Sequence, residues 1–228
     1  MFMTVEQWAD GRVIGDDVML LTSLDIVGAF VFALSGGALA VEKRLDPFGV
    51  VFLAFVACAS GGIARDVLIG VTPPTALRDW HYFAVACVAG ATCYFGYGLI
   101  SRLSAPVAFF DSVGLGLFTV VGARKALDAG LSPLMAAMLG MITAIGGGMA
   151  RDVLTARTPM VFRRDIYAIA ALAGAALLTF GDAVGLPDAL IAPLGAAFTI
   201  CIRLIAIDMD WHLPAARLRP SDSEINGR

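Results

Sequence analysis

Two stretches of the chain repeat one another at a constant offset of 86 residues, without a gap. Asp25 pairs with Asp111, Gly28 with Gly114, Phe32 with Phe118 and Gly36 with Gly122. Leu45 and Pro47 pair with Leu131 and Pro133. The run Gly61-Gly62-Ile63-Ala64-Arg65-Asp66-Val67-Leu68 then pairs with Gly147-Gly148-Met149-Ala150-Arg151-Asp152-Val153-Leu154. Thr72-Pro73 matches Thr158-Pro159, and Arg78-Asp79 matches Arg164-Asp165. Small apolar residues coincide easily in an apolar chain. Asp, Arg, Pro and Arg-Asp in register do not, so the pattern is that of an internal duplication.

The duplicated unit is too apolar to fold in water. Of 228 residues, 59% are hydrophobic and 15% charged, and the mean hydropathy is +0.83. Soluble domains carry roughly 45–50% apolar and about 25% charged residues. Seven apolar stretches approach the roughly 20 residues that cross a bilayer as a helix. They run Leu20–Val41, Phe48–Gly70, Tyr82–Ser101, Val107–Ala126, Pro133–Thr155, Ile166–Phe180 and Pro187–Ile207. Transmembrane β-strands are about half that length and alternate in polarity, so the fold class is an all-α membrane protein.

Each copy of the repeat holds three spans, an odd number, so the second copy enters the membrane from the opposite side. The expected architecture is an inverted three-plus-three repeat with one helix appended. Its segments are 1–19 (an N-terminal extracytoplasmic segment), 20–105 and 106–185 (the two repeats), 186–207 (the seventh span) and 208–228 (a polar cytoplasmic tail). Lys and Arg collect on one side of these spans. Lys43, Arg44, Arg102, Arg157, Arg163, Arg164, Arg217, Arg219 and Arg228 stand against Arg12, Arg78, Arg124 and Lys125. By the positive-inside rule the N-terminus is outside and the C-terminus inside, in a cell inner membrane.

Inverted repeats place their functional sites on interrupted helices at the repeat interface. Spans two and five carry the expected interruptions at Ser60-Gly61-Gly62 and Gly146-Gly147-Gly148, since glycine costs about 1 kcal/mol relative to alanine within a helix. The competing reading is that these glycines only let helices pack closely. Arg65, Asp66, Arg151 and Asp152 follow the glycines. Ionisable groups in a span face a bundle interior, pair together or line a polar path. Neighbours on a helix point about 100° apart and surface partners are three or four residues apart, so each Arg and Asp is expected to pair with another helix. Asp25 and Asp111 are the candidate partners of the arginines. Arg124 and Lys125 end span four, where the first repeat has Ala38 and Leu39. They either snorkel to the interface or form a field-sensitive basic group at a pore mouth.

Several classes are excluded. The net charge of −3 implies no nucleic-acid partner. There is no phosphate-binding G-x-x-x-x-G-K-[ST] loop. Cys58, Cys87, Cys93 and Cys201 lie in apolar runs with no C-x-x-C pair, and His81 and His212 lie outside the spans. No metal, cofactor or enzymatic site is expected.

Two G-G-x-x-R-D-V-L motifs on the second and fifth of seven spans resemble the prokaryotic TRIC channels, the trimeric intracellular cation channel family. The resemblance covers about Ser23 to Ile207. It implies a homotrimer in membrane lipid with one pore per subunit, conducting monovalent cations, chiefly K⁺ with Na⁺ as a second candidate. It implies that spans two and five kink at their glycines and that spans one, two, four and five surround the pore. The family's glycine triplet maps onto Gly146, Gly147 and Gly148, and onto Ser60, Gly61 and Gly62, where Ser60 departs from the pattern. The basic group that animal members carry on span four maps onto Arg124 or Lys125. A secondary transporter of a small solute such as glycine is the alternative, since inverted repeats with polar breaks suit both functions and related sequences carry a glycine-transporter label.

Overall fold

The computed structural model describes residues 15–103, 105–163, 166–209 and 211. Most of the expected N-terminal segment and of the C-terminal tail lies outside the described residues, as do Arg164 and Asp165. Seven long helices account for nearly all of the described chain: α1 (Gly15–Glu42), α2 (Pro47–Leu68), α3 (Trp80–Ile100), α4 (Pro106–Asp128), α5 (Pro133–Leu154), α6 (Ile166–Ala183) and α7 (Asp188–Asp208). All seven are long and apolar enough to cross a membrane. Their ends lie within three residues of those expected from hydropathy, apart from α1, which begins five residues earlier.

The sequence marks its own helix ends. Pro47, Pro106 and Pro133 open α2, α4 and α5, where the missing N–H costs nothing and φ is already helical. The Asp46 side chain caps α2 by accepting from Gly49 N at 2.7 Å. Asp79 caps α3 by accepting from His81 N at 3.0 Å. That bond, with the His81 ring beside it, holds the Asp79 carboxyl below the usual carboxylate range. At the other end, Gly70 (φ +79°) and Ala156 (φ +53°) take the left-handed conformation after α2 and α5. There the N–H of the following residue reaches back to Asp66 O (2.8 Å) and to Asp152 O (2.9 Å). Arg44 (φ +56°) and Gly130 (φ +84°) form a second such pair after α1 and α4. Both pairs stand 86 residues apart. The duplication has kept the backbone turn while changing which copy carries glycine.

The packing follows the repeat. α3 lies on α1 and α2, and α6 lies equivalently on α4 and α5. α1 crosses α4, α2 crosses α5, and α7 packs against α6 and α4. At the α1–α4 crossing the buried rings of Phe32 and Phe118 meet edge to face, centroids 5.0 Å apart. Each ring covers the other helix's glycine. A β-carbon on Gly114 would lie 2.7 Å from Phe32, and one on Gly28 would lie 2.8 Å from Phe118.

The α2–α5 crossing corrects one expectation, that spans two and five are interrupted. Both helices run unbroken through Ser60-Gly61-Gly62 and Gly146-Gly147-Gly148, so their carbonyls remain within helices. The glycines serve close approach instead. A β-carbon on Gly61 would lie 2.0 Å from Thr143 O, and one on Gly147 would lie 2.1 Å from Ala57 O. Ala57 and Thr143 are themselves repeat partners, so the contact is the same on both sides of the pseudo-two-fold. Two helices meet there backbone to backbone, as small residues allow in lipid.

Candidate functional site

The charges of the spans gather into two clusters, one from each repeat, toward opposite ends of the bundle. Arg65 and Asp66 stand in the last turn of α2 at the end where α1 begins. Arg151 and Asp152 stand in the last turn of α5 at the other end. The midplane between them is occupied by the glycine crossing. Arg65, Asp66, Asp25, Arg151, Asp152 and Asp111 are all at most 5% exposed.

In each cluster the arginine pairs with the aspartate next to it in sequence, against the expectation that adjacent side chains cannot meet. Arg65 Nε donates to Asp66 Oδ1 at 2.9 Å, and Arg151 Nε donates to Asp152 Oδ1 at 2.9 Å. The second nitrogen of each fork lies 2.8 Å from the same oxygen. The arginine stem is long enough to fold its planar fork back over the neighbouring carboxylate, a reach that the surface spacing rule does not cover. The other oxygen of each aspartate accepts a backbone N–H from the short helix that follows. Asp66 Oδ2 takes Thr75 N at 2.7 Å, and Asp152 Oδ2 takes Met160 N at 3.1 Å.

Those short helices, Thr75–Arg78 and Met160–Arg163, stand 85 residues apart. The register therefore shifts by one residue after the Thr-Pro step, and the gapless pairing of Arg78 with Arg164 is replaced by Arg78 with Arg163. The shift explains a pair of residues that the gapless repeat hid. Tyr82 donates to Asp25 Oδ2 at 2.9 Å, and Tyr167 hydrogen-bonds to Asp111. A one-residue gap after Pro73 would have aligned the two tyrosines.

Beyond this shared frame the clusters differ. Arg151 Nη1 donates to Asp111 Oδ1 at 2.7 Å and to Ser35 Oγ, and Ser35 Oγ donates onward to Val107 O at 3.1 Å. The expected Arg151–Asp111 pair is therefore present. Arg65 makes no such bond to Asp25. Its Nη1 is buried without a hydrogen-bond partner, and Asp25 Oδ2 is held by Lys125 Nζ at 2.8 Å. Lys125 comes from α4, in the other repeat, and is 20% exposed. The β-carbon positions report the same difference. One on Gly148 would lie 2.9 Å from both Asp111 Oδ1 and Tyr167 Oη, whereas one on Gly62 would meet only Arg65 Nη2, at 3.6 Å.

Arg124 and Lys125 part company. Arg124 is tied by Nε to Asp128 (3.0 Å) and by Nη1 to Asp182 (2.6 Å) and Asp188 (3.1 Å), clamping α4 to the α6–α7 connection. Lys125 alone reaches a repeat aspartate. A third basic residue was missed. Arg203 on α7 is 1% exposed and lies over the Tyr167 ring at 4.9 Å, where a cation gains from the aromatic face. A lone arginine inside an apolar span was the available signal.

The chain is similar to known proteins over nearly its whole membrane part. A sequence-family model described as "Glycine transporter" matches residues 22–98 and 108–183. The UPF0126 inner membrane protein YadS of Escherichia coli is 38% identical, over 86% of this chain and 94% of its own. The crystallised TRIC trimeric intracellular cation channel orthologue from Rhodobacter sphaeroides is 32% identical, over 84% of this chain and 99% of its own, with a TM-score of 0.81. A prokaryotic TRIC channel crystallised in 0.5 M KCl is 31% identical, over 86% of this chain and all of its own, with a TM-score of 0.80.

Proposed function

Since the chain belongs to the prokaryotic TRIC family, we propose that it is a channel for monovalent cations, chiefly K⁺, with Na⁺ as the second candidate ion. Three copies assemble in membrane lipid and each carries its own path through α1, α2, α4 and α5. The observation that carries this reading is the pair of buried cation–carboxylate clusters on pseudo-symmetric helices, one toward each end of the bundle. Ionisable groups inside spanning helices are rare and face a bundle interior, a partner or a polar path. Keeping six such groups is costly in a protein that only packs, and useful in one that replaces the hydration of an ion.

The two clusters are the entrance and exit of the path. Asp25 with Asp66, and Asp111 with Asp152, offer carboxylate oxygens to a partly dehydrated cation, while Arg65 and Arg151 offset the carboxylate charge so that the ion is not trapped. Binding must favour entry yet permit departure. α2 and α5 kink at Ser60-Gly61-Gly62 and Gly146-Gly147-Gly148, and Gly61, Gly146 and Gly147 keep the two helices close enough to bring the clusters onto one axis. Lys125 is the gating basic group in preference to Arg124, because it holds a cluster aspartate on a flexible, partly exposed stem. One charge moved through the full membrane field is worth about 2.3 kcal/mol per 100 mV, enough to bias such a bond. The N-terminus lies outside and the C-terminus inside the inner membrane.

A transporter of glycine or a similar small solute is the second reading, favoured by the description of the matching family model. Recording purified protein in planar bilayers separates the two. A channel gives unitary K⁺ currents that persist when Cl⁻ is replaced by an impermeant anion, and Na⁺ in place of K⁺ tests the second candidate ion. A transporter gives no unitary current but saturable glycine uptake into liposomes.

A further inference from the structure

The second repeat contains a bond that the first repeat lacks, although the first repeat has every atom needed to make it. Arg151 Nη1 bonds Asp111. The equivalent Arg65 Nη1 is buried with no partner, while the equivalent Asp25 is bonded to Lys125. The side chains that press on Gly148 in the second repeat, Asp111 and Tyr167, have equivalents that stand off from Gly62 in the first. We propose that Asp25 exchanges between two partners, Lys125 and Arg65, and that the Asp111–Arg151 pair displays the geometry of the second position.

The exchange needs little movement. A carboxylate on a staggered side chain changes direction by hopping between rotamers, and the room beside Gly62 is where Asp25 would land. A buried donor without a partner is costly, so Arg65 Nη1 favours the move, while the second geometry leaves one aspartate oxygen unbonded, as Asp111 Oδ2 is. Lys125 opposes it with one bond from a long, mobile stem. The two positions are then close in free energy, which is what a two-state element requires. The second repeat offers Asp111 no lysine from the facing repeat. The position matching Lys125 is Leu39, and Ser35, facing Arg151, has Val121 as its counterpart. The exchange rests on the channel reading for its consequence, since freeing Lys125 from Asp25 would open the entrance, but not for its chemistry.

Gly62→Ala tests it. In the second repeat a β-carbon at the equivalent site would sit 2.9 Å from the aspartate oxygen, so alanine at 62 blocks the second position and leaves the first untouched. Thermal unfolding of the purified full chain is measured for Gly62→Ala, Lys125→Met and both together. Each single variant is expected to shift Tm by no more than about 3 °C, because Asp25 keeps one partner in each. The double variant leaves the buried carboxylate with Tyr82 but no cation, and Tm falls by about 10 °C beyond the sum. Adding Asp25→Asn removes the stranded charge and restores most of that loss. If the double variant is too unstable to purify, recovery of folded protein by Asp25→Asn reads the same coupling. Additive shifts, or no rescue by Asp25→Asn, overturn the exchange. In bilayers, Gly62→Ala is expected to lower open probability at least fivefold, and unaltered open probability overturns the assigned role of the exchange. Coupling in the unfolding series with no K⁺ current from the unaltered chain refutes the channel reading and supports the exchange.

Discussion

The two repeats share a frame and differ in how it is tied. Each has an aspartate on its first helix, an Arg-Asp pair at the end of its second, a tyrosine on its third and a short helix that donates a backbone N–H to the second aspartate. In the second repeat the arginine closes the cluster from within, through Asp111, with Ser35 added from the first repeat. In the first repeat the arginine is left short of a partner and Lys125 closes the cluster from outside. Duplication conserved the backbone and the charged triad. Two unduplicated residues, Ser35 and Lys125, decide how each triad is used. The second cluster is held in one arrangement, and the first is the adjustable one.

That contrast is sharpest at the arginines. Arg151→Ala leaves Asp111 and Asp152 buried without their cation, and breaking a buried pair from one side costs about 3–5 kcal/mol. Arg65→Ala leaves Asp25 with Lys125 and Tyr82, and leaves Asp66 with Thr75 N, so its cost should be about half as large. Thermal unfolding of both variants in detergent checks the order, and equal losses would break the contrast.

The glycines give the next largest effect. Gly148→Ala pushes a methyl into Asp111 and Tyr167 and should cost about 1–3 kcal/mol, as overpacking does. Gly62→Ala meets only ordinary contact and gains up to about 1 kcal/mol of helix propensity, so it should be near neutral. Gly61→Ala and Gly147→Ala should instead behave alike, because each meets a carbonyl oxygen of the facing backbone. Purification yield and Tm of the four variants compare the crossing with the clusters directly.

A smaller effect tests the turns. Ala156→Gly should stabilise by about 1 kcal/mol, since a β-carbon in the left-handed conformation costs roughly that much. Gly70→Ala should lose a similar amount, although nothing lies within 4 Å of the added methyl. Opposite signs of Tm shift are the expected outcome. Smallest is a pH effect at the Asp79 cap. Its carboxyl is held below the usual range by His81 N–H, so its contribution is present above the ordinary carboxylate value of about 4. That contribution is lost as pH falls through the lower folded value. The Tm of the unaltered chain should therefore drop slightly more below pH 4 than that of Asp79→Asn.

Much of the fold could be read from the residues. Hydropathy and the helix-opening prolines set the spans, and an 86-residue offset carried by charged residues set the inverted architecture. The clusters of the candidate site were legible in membership more than in wiring. Asp25, Arg65, Asp66, Asp111, Arg151 and Asp152 do gather in two buried clusters, but a surface-helix spacing rule misjudged the reach of an arginine stem. Gly61 and Gly147 signalled importance, yet a glycine run gives the same pattern whether it breaks a helix or admits a neighbour. The facing Ala57 and Thr143 carbonyls, which only the folded chain brings close, decide for the second. The Lys125–Asp25 bond has no counterpart in the repeat, so the repeat could not point to it.

The central claim is that the duplicated aspartates carry a monovalent cation path, and single-channel recording of the Asp25→Asn/Asp111→Asn double variant beside the unaltered chain tests it most directly. The account predicts unitary K⁺ currents from the unaltered chain and at least a tenfold smaller conductance from folded double variant. Equal K⁺ conductance from both proteins, or no current from either with saturable glycine uptake by the unaltered chain, would contradict it.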